Sequence, residues 1–128
     1  MHNIAIVGLG VMGKNHYKTL KSMKNVTIVG LCDVTHSDEY KEPFFTDLET
    51  MLTQTKPDAL IIATPTFLHK DAALLCAKYG VHLFIEKPAA SSVEDAKVLL
   101  EAIEQKNLKS CVGYIERFNP VVKALIHE

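Results

Sequence analysis

Ile4-Ala5-Ile6-Val7-Gly8-Leu9-Gly10-Val11-Met12-Gly13 joins a short apolar, β-branched run to a G-x-G-x-x-G turn, and the residues that follow keep helical spacing. Strand, glycine turn and helix in that order form a receptacle for a dinucleotide. In this reading Gly8 makes the tight turn off the strand. Gly10, followed by Val11 and Met12, lets backbone N–H groups come close to a pyrophosphate. Gly13 lets the helix pack closely on the strand. The positive end of that helix then faces the phosphates. Asp33, twenty positions beyond Gly13, supplies an acidic residue at the distance such a turn requires.

The remaining composition narrows the class. A chain of 128 residues suits one domain, and 48% apolar residues with a net charge of −1 suit a soluble globular protein. No basic excess points to nucleic acid, and the apolar runs are strand-sized, so no membrane span is expected. Met1 leads within three residues into the first strand, which leaves no expected leader and suggests the cytoplasm. Cys32, Cys76 and Cys111 are scattered without a C-x-x-C pair and read as small buried hydrophobes in a reducing compartment. The six histidines show no ligand spacing, so no metal site is predicted.

Followed in order, the chain alternates strands and helices. Strands are expected at 3–7, 26–31, 44–45, 59–63, 81–85 and 109–113, with helices at 11–23, 47–54, 64–79, 92–107 and from 121. This is an α/β, Rossmann-type doubly wound parallel sheet of six strands in the order 3-2-1-4-5-6. Met12, His16, Leu20 and Met23 form the inner stripe of the first helix, with Lys14 and Lys18 facing solvent. The polar stretch 34–43 is too weakly patterned for a crossover helix and reads as a loop. Thr46-Asp47-Leu48-Glu49 and Ser91-Ser92-Val93-Glu94 both carry capping-box spacing, and Thr64-Pro65 suits an N-cap followed by N1. Val93, Ala96, Leu100 and Ile103, with Leu99 beside them, are the expected inner face of the fifth crossover.

Ligands of such sheets sit outside the carboxyl ends of the strands. Asp33 ends the second strand, where a carboxylate accepts both hydroxyl hydrogens of an adenosine ribose and repels a 2′-phosphate. No Arg or Lys follows until Lys41, which favours NAD over NADP. Ala63, Thr64, Pro65 and His69 follow a central strand and face the cofactor from across the crevice, His69 with a structural role as plausible as a chemical one. Glu86-Lys87-Pro88 places two charged residues between a buried strand and a proline, poor packing material but well placed for a site.

Gly8-x-Gly10-x-x-Gly13-x-x-His16, Asp33, Ala63-Thr64-Pro65-x-x-x-His69, Glu86-Lys87-Pro88 and Gly113-Tyr114-x-x-Arg117-Phe118-Asn119-Pro120 together resemble the Gfo/Idh/MocA dehydrogenases over essentially the whole chain. The last motif looks most like the branch acting on UDP-N-acetyl sugars. The resemblance implies hydride transfer between a sugar-type hydroxyl and C4 of nicotinamide, with the cofactor held by Gly8, Gly10, Val11, Met12, Gly13, Asp33, Ala63, Thr64, Pro65, His69, Glu86 and Lys87. Lys87 is implied as the catalytic residue that binds the reacting hydroxyl and relays its proton, since an ammonium beside a positively charged nicotinamide yields its proton more readily.

Two departures from that family shape the expectations. The stretch after Asp33 is short, which opens the adenine side. Residues 1–128 are expected to form a single dinucleotide-binding domain, with 120–128 beginning the helix that in the family leads to a second, substrate-binding domain. Two functions therefore stand side by side: an NAD-dependent oxidoreductase or its cofactor-binding part, acting on a sugar or UDP-sugar, and a non-catalytic nucleotide-binding module. The apolar helix after Asn119-Pro120 must fold back on the domain or bury itself in a partner copy, so a homo-oligomer through that helix is expected.

Overall fold

The computed structural model describes residues 1–126. Its strands are β1 His2–Val7, β2 Val26–Cys32, β3 Phe44–Phe45, β4 Ala59–Ile62, β5 His82–Ile85 and β6 Ser110–Val112. All pair in parallel, in the order β3-β2-β1-β4-β5-β6. The helices α1 Val11–Ser22, α2 Leu48–Thr55, α3 His69–Lys78 and α4 Val93–Gln105 are the crossovers, and α5 Pro120–Ile126 ends the described chain. The order reverses between β1 and β4, so a crevice opens there at the carboxyl edge of the sheet.

Two apolar clusters cover the two faces of the sheet. Ala5, Val7, Leu60, Ile62, Leu83 and Ile85 pack with Met51 and Leu52 of α2, Cys76 of α3, and Leu99 and Ile103 of α4. Ile6, Ile28, Leu31 and Ile61 form the other cluster, against which Tyr17 and Leu20 of α1 lean. Strands with apolar residues on both faces are what a parallel sheet covered on both sides demands.

Several local expectations shift. In both predicted capping boxes the cap lies one residue later: Asp47 accepts from Thr50 N–H at 2.8 Å, and Ser92 accepts from Asp95 N–H at 3.1 Å. Glu49, freed from the box, instead binds Lys78 Nζ at 2.8 Å and Tyr79 Oη at 2.5 Å, fastening α2 to the end of α3. Thr64-Pro65 does not start a helix. Pro65 keeps extended ψ at 145°, a 3₁₀ turn over Thr66–Leu68 follows, and α3 begins only at His69. On α4 the buried face is Leu99 and Ile103, while Val93, Ala96 and Leu100 are exposed. The stripe of α1 reads through Met12, His16 and Leu20, but Met23 is an exposed C-cap. Cys111 is exposed on the edge strand, whereas Cys32 and Cys76 are buried as expected.

Residues 34–43 form no regular element and are tied to α1 through Glu42, which accepts from Lys21 Nζ at 2.6 Å and Tyr17 Oη at 2.8 Å. Although burial opposes its charge, those two donors hold the Glu42 carboxyl below its ordinary range. The helix α5 does not fold back: Val121, Leu125 and Ile126 are exposed, and its packing is against the 3₁₀ turn Ile115–Phe118. Asn119 caps it, its Oδ1 accepting from Val121 N–H at 3.0 Å. Of the expected connecting helix at 120–128, the last two positions lie outside the described residues.

Candidate dinucleotide-binding crevice

The three glycines of the turn differ in what constrains them. Gly8 has φ +88°, and a Cβ there would meet Ala63 C and O at 2.6 Å. A Cβ on Gly13 would stand 1.8 Å from the carbonyl oxygen of Gly8. Both are demanded by the protein's own backbone. Gly10 is not: a Cβ there would find nothing within 4 Å, and its φ of −73° suits any residue. The space over Gly10 is a cradle that none of the described residues fills.

That space adjoins the start of α1. Unlike α2 and α4, α1 has no side-chain cap and no acidic residue in its first turn. The N–H groups of Val11, Met12 and Gly13 are therefore left to an incoming acceptor, with the helix dipole favouring an anion. A pyrophosphate fits this donor set and needs no side-chain charge to do so.

Asp33 is held beside the turn. Its Oδ2 accepts from Leu9 N–H at 2.7 Å and its Oδ1 faces Thr35 N–H at 3.3 Å. Each oxygen keeps a lone pair for a further donor, as two ribose hydroxyls would supply. Lys14, which shares a hollow with Asp33, pairs with Glu39 at 3.5 Å. The arrangement therefore suits an unphosphorylated ribose.

The crevice itself is an apolar cavity of about 540 Å³ that runs from Gly8 and Asp33 to Thr64, Pro65 and Leu75. Its size matches small-molecule sites. Thr64 Oγ1 is a buried oxygen with no partner among the described residues, an orphan of the kind a ligand satisfies. Thr46, Leu48, Phe67, Leu68 and Asp71 also line it, none of them expected there from the sequence. Only their position after β3 and β4 could have marked them. Cys32 lines the same cavity, but burial, with the charges of Asp47 and Asp33, pushes its thiol up to about 12, so it stays protonated and unreactive.

The remaining predicted residues lie towards β5. His69 is buried, its Nδ1 2.9 Å from Pro88 O and its Nε2 2.9 Å from Thr64 O, so it clamps the ends of β4 and β5 together. It stands at the first position of α3, not in a second turn. Ala63 packs behind the turn, within 3.7 Å of a Cβ at Gly13. Glu86 is buried and bonded to His16, and Lys87, next to the cis Lys87–Pro88 bond, is exposed. Lys87 lines a second groove of about 310 Å³ with Tyr114, Arg117 and Val122. Among the described residues no group of three or more His, Cys, Asp or Glu is placed to hold a metal ion, and no helix is long and apolar enough to cross a membrane.

Turn, acidic residue and switch-point cavity define a dinucleotide-binding domain of the doubly wound class. Residues 2–114 match the family described as an oxidoreductase family with an NAD-binding Rossmann fold, GFO_IDH_MocA, and the chain belongs to that family as its NAD-binding domain. Among curated proteins it is 32% identical to 4-carboxy-2-hydroxymuconate-6-semialdehyde dehydrogenase of Sphingobium sp., over 91% of this chain and 39% of that one. Among solved structures it is similar to scyllo-inositol dehydrogenase from Lactobacillus casei with bound NAD(H) and scyllo-inositol (TM-score 0.90, 26% identity, 99% of this chain and 41% of that one). It is also similar to the WlbA dehydrogenase from Chromobacterium violaceum in complex with NADH and UDP-GlcNAcA (TM-score 0.91, 27% identity, 97% and 38%). The chain thus spans less than half the length of the relatives it matches.

Proposed function

We propose that this chain is the cofactor-binding part of an NAD-dependent dehydrogenase that oxidises a sugar-type hydroxyl, and that Lys87 is its proton-handling residue. The observation that carries the reading is the contrast among the glycines: two are fixed by backbone contact, and the one over the helix N-terminus is left open. Bound nicotinamide supplies the hydride acceptor at C4. The chain's own groups do the rest. Val11, Met12 and Gly13 N–H orient the diphosphate, Asp33 holds the ribose, and the apolar walls beyond Thr64 keep water from the base. Lys87 Nζ, as the uncharged amine, accepts a hydrogen bond from the substrate hydroxyl and takes up its proton as the hydride leaves.

The relatives whose names specify a polyol or a UDP-sugar support a hydroxylated substrate. The exposed apolar side of α5 supports assembly, either with a second copy or with a substrate-binding partner. The test is a hydride-transfer assay on the 128-residue chain with NAD and a panel of polyols and UDP-sugars, beside an NADH titration. Lys87→Ala is expected to cut turnover by about a thousandfold, in the range general acid–base groups supply, while costing NADH affinity no more than about tenfold, the worth of one contact. Turnover unchanged by Lys87→Ala would remove the role given to Lys87. Saturable NADH binding without turnover in the wild-type chain would favour the non-catalytic module or a requirement for a partner.

A further inference from the structure

His16, Glu86 and Gly113 come from three separate motifs and meet at one carboxylate. Glu86 follows the last residue of β5, and its side chain is 9% exposed. His16 Nε2 lies 2.6 Å from Glu86 Oε1, and the His16 ring makes a T-shaped contact with Phe84 of the same strand. The other side of the carboxylate is closed by the chain leaving β6. A Cβ at Gly113 would stand 3.0 Å from Oε2, and Gly113 N–H donates to Ile85 O at 2.8 Å. A buried carboxylate needs a donor, and among the described residues His16 is the side chain that supplies one.

His16 sits on α1, within one turn of Gly13, while Glu86 immediately precedes Lys87. The bond therefore ties the helix that faces the diphosphate to the turn that carries the lysine. We infer that His16 and Glu86 are a positioning pair for Lys87, and that Gly113 is glycine so that this carboxylate can turn inward to His16. Glu86 then acts through the turn it anchors and does not touch the cofactor. The inference rests on the reading of Lys87 given above.

The test measures acylation of Lys87 by acetic anhydride, read by peptide mass spectrometry, with and without saturating NADH, beside an NADH titration and a thermal melt. In the wild-type chain NADH slows Lys87 acylation about tenfold, the effect of one well-placed contact. His16→Phe keeps the ring against Phe84 but removes the donor. It is expected to leave NADH affinity within about threefold while protection falls to about twofold or less. Gly113→Ala, whose methyl makes the carboxylate give by a few tenths of an ångström, should lower the protection in the same direction but by less. Glu86→Gln keeps an acceptor for the His16 N–H and should retain most of the protection. Full protection in His16→Phe would overturn the inference. So would a large loss of NADH affinity in Glu86→Gln with His16→Phe unaffected, since Glu86 would then bind the cofactor itself. Absence of NADH protection in the wild-type chain would instead sink the reading of Lys87, and the positioning role with it.

Discussion

Gly13→Ala is expected to unfold the domain well below the wild-type melting temperature. The added Cβ would stand 1.8 Å from the Gly8 carbonyl oxygen, and the atom it meets is backbone, not the free end of a side chain. Relief requires α1 to lift from β1 or the turn at Gly8 to open. Gly8 already occupies φ +88° and is itself pressed against Ala63 and Thr64. The cost is about 4 kcal/mol or more, the range in which a single substitution is exceptional. Against a total of roughly 5–15 kcal/mol for a domain of this size, most of the stability is at stake. A melt followed by circular dichroism should show a fall of about 12 °C or more. A variant melting within a few degrees of wild type would mean that helix and strand are not packed through this glycine.

Asp33→Ala is expected to cost NADH affinity without costing the fold. The carboxylate would give up two hydrogen bonds to ribose hydroxyls, each worth about 1.5–3 kcal/mol when the acceptor is charged. Its present bond from Leu9 N–H would go as well, leaving the glycine turn less well held. We expect a loss of about 3 kcal/mol, roughly a hundredfold in the dissociation constant. Loss of the Leu9 N–H bond should lower the melting temperature by several degrees, well short of the fall expected for Gly13→Ala. Equal NADH affinity in the variant and the wild-type chain would displace the ribose from residue 33.

What could be read from the sequence follows from what is local. Strand order, the two-residue strand at Phe44-Phe45 and the polar loop after Asp33 are all encoded in short windows, and each stands where the pattern places it. Helix starts are less legible. Thr46 and Asp47, or Ser91 and Ser92, are both good caps, and the choice between them depends on how the helix docks, not on the residues. The inner face of α4 is hard to assign for a related reason: Leu100 and Leu99 differ by one step of the helix, and only the docking of α4 on α3 decides which turns inward. Thr64-Pro65 carries a helix-start signature, but the crevice holds the chain extended there, with His69 bonded back to Thr64 O.

The candidate site was legible where it is made of backbone and illegible where it is made by packing. Glycine turn, helix N-terminus and Asp33 are set by spacing along the chain, and the structure brings them to one edge of the sheet. The His16–Glu86 contact joins residues 70 positions apart, and α1 must already lie on β5's side of the sheet for it to exist. A histidine at helical spacing gives no hint of it. The same holds for Asp71 and Leu75, which reach the cavity only because α3 lies along its wall.

The most direct test of the account is a pair of readings on Gly10→Val. Residue 10 has room for a Cβ and a φ of −73°, so the variant should melt within about 3 °C of the wild-type chain. Its side chain would occupy the cradle above the N-terminus of α1, and NADH fluorescence titration should show binding weakened by about a hundredfold or lost, as expected when a ligand's anion is kept from its donors. A variant that folds normally and binds NADH as tightly as the wild-type chain would contradict the placement of the diphosphate, and with it the function built on that placement.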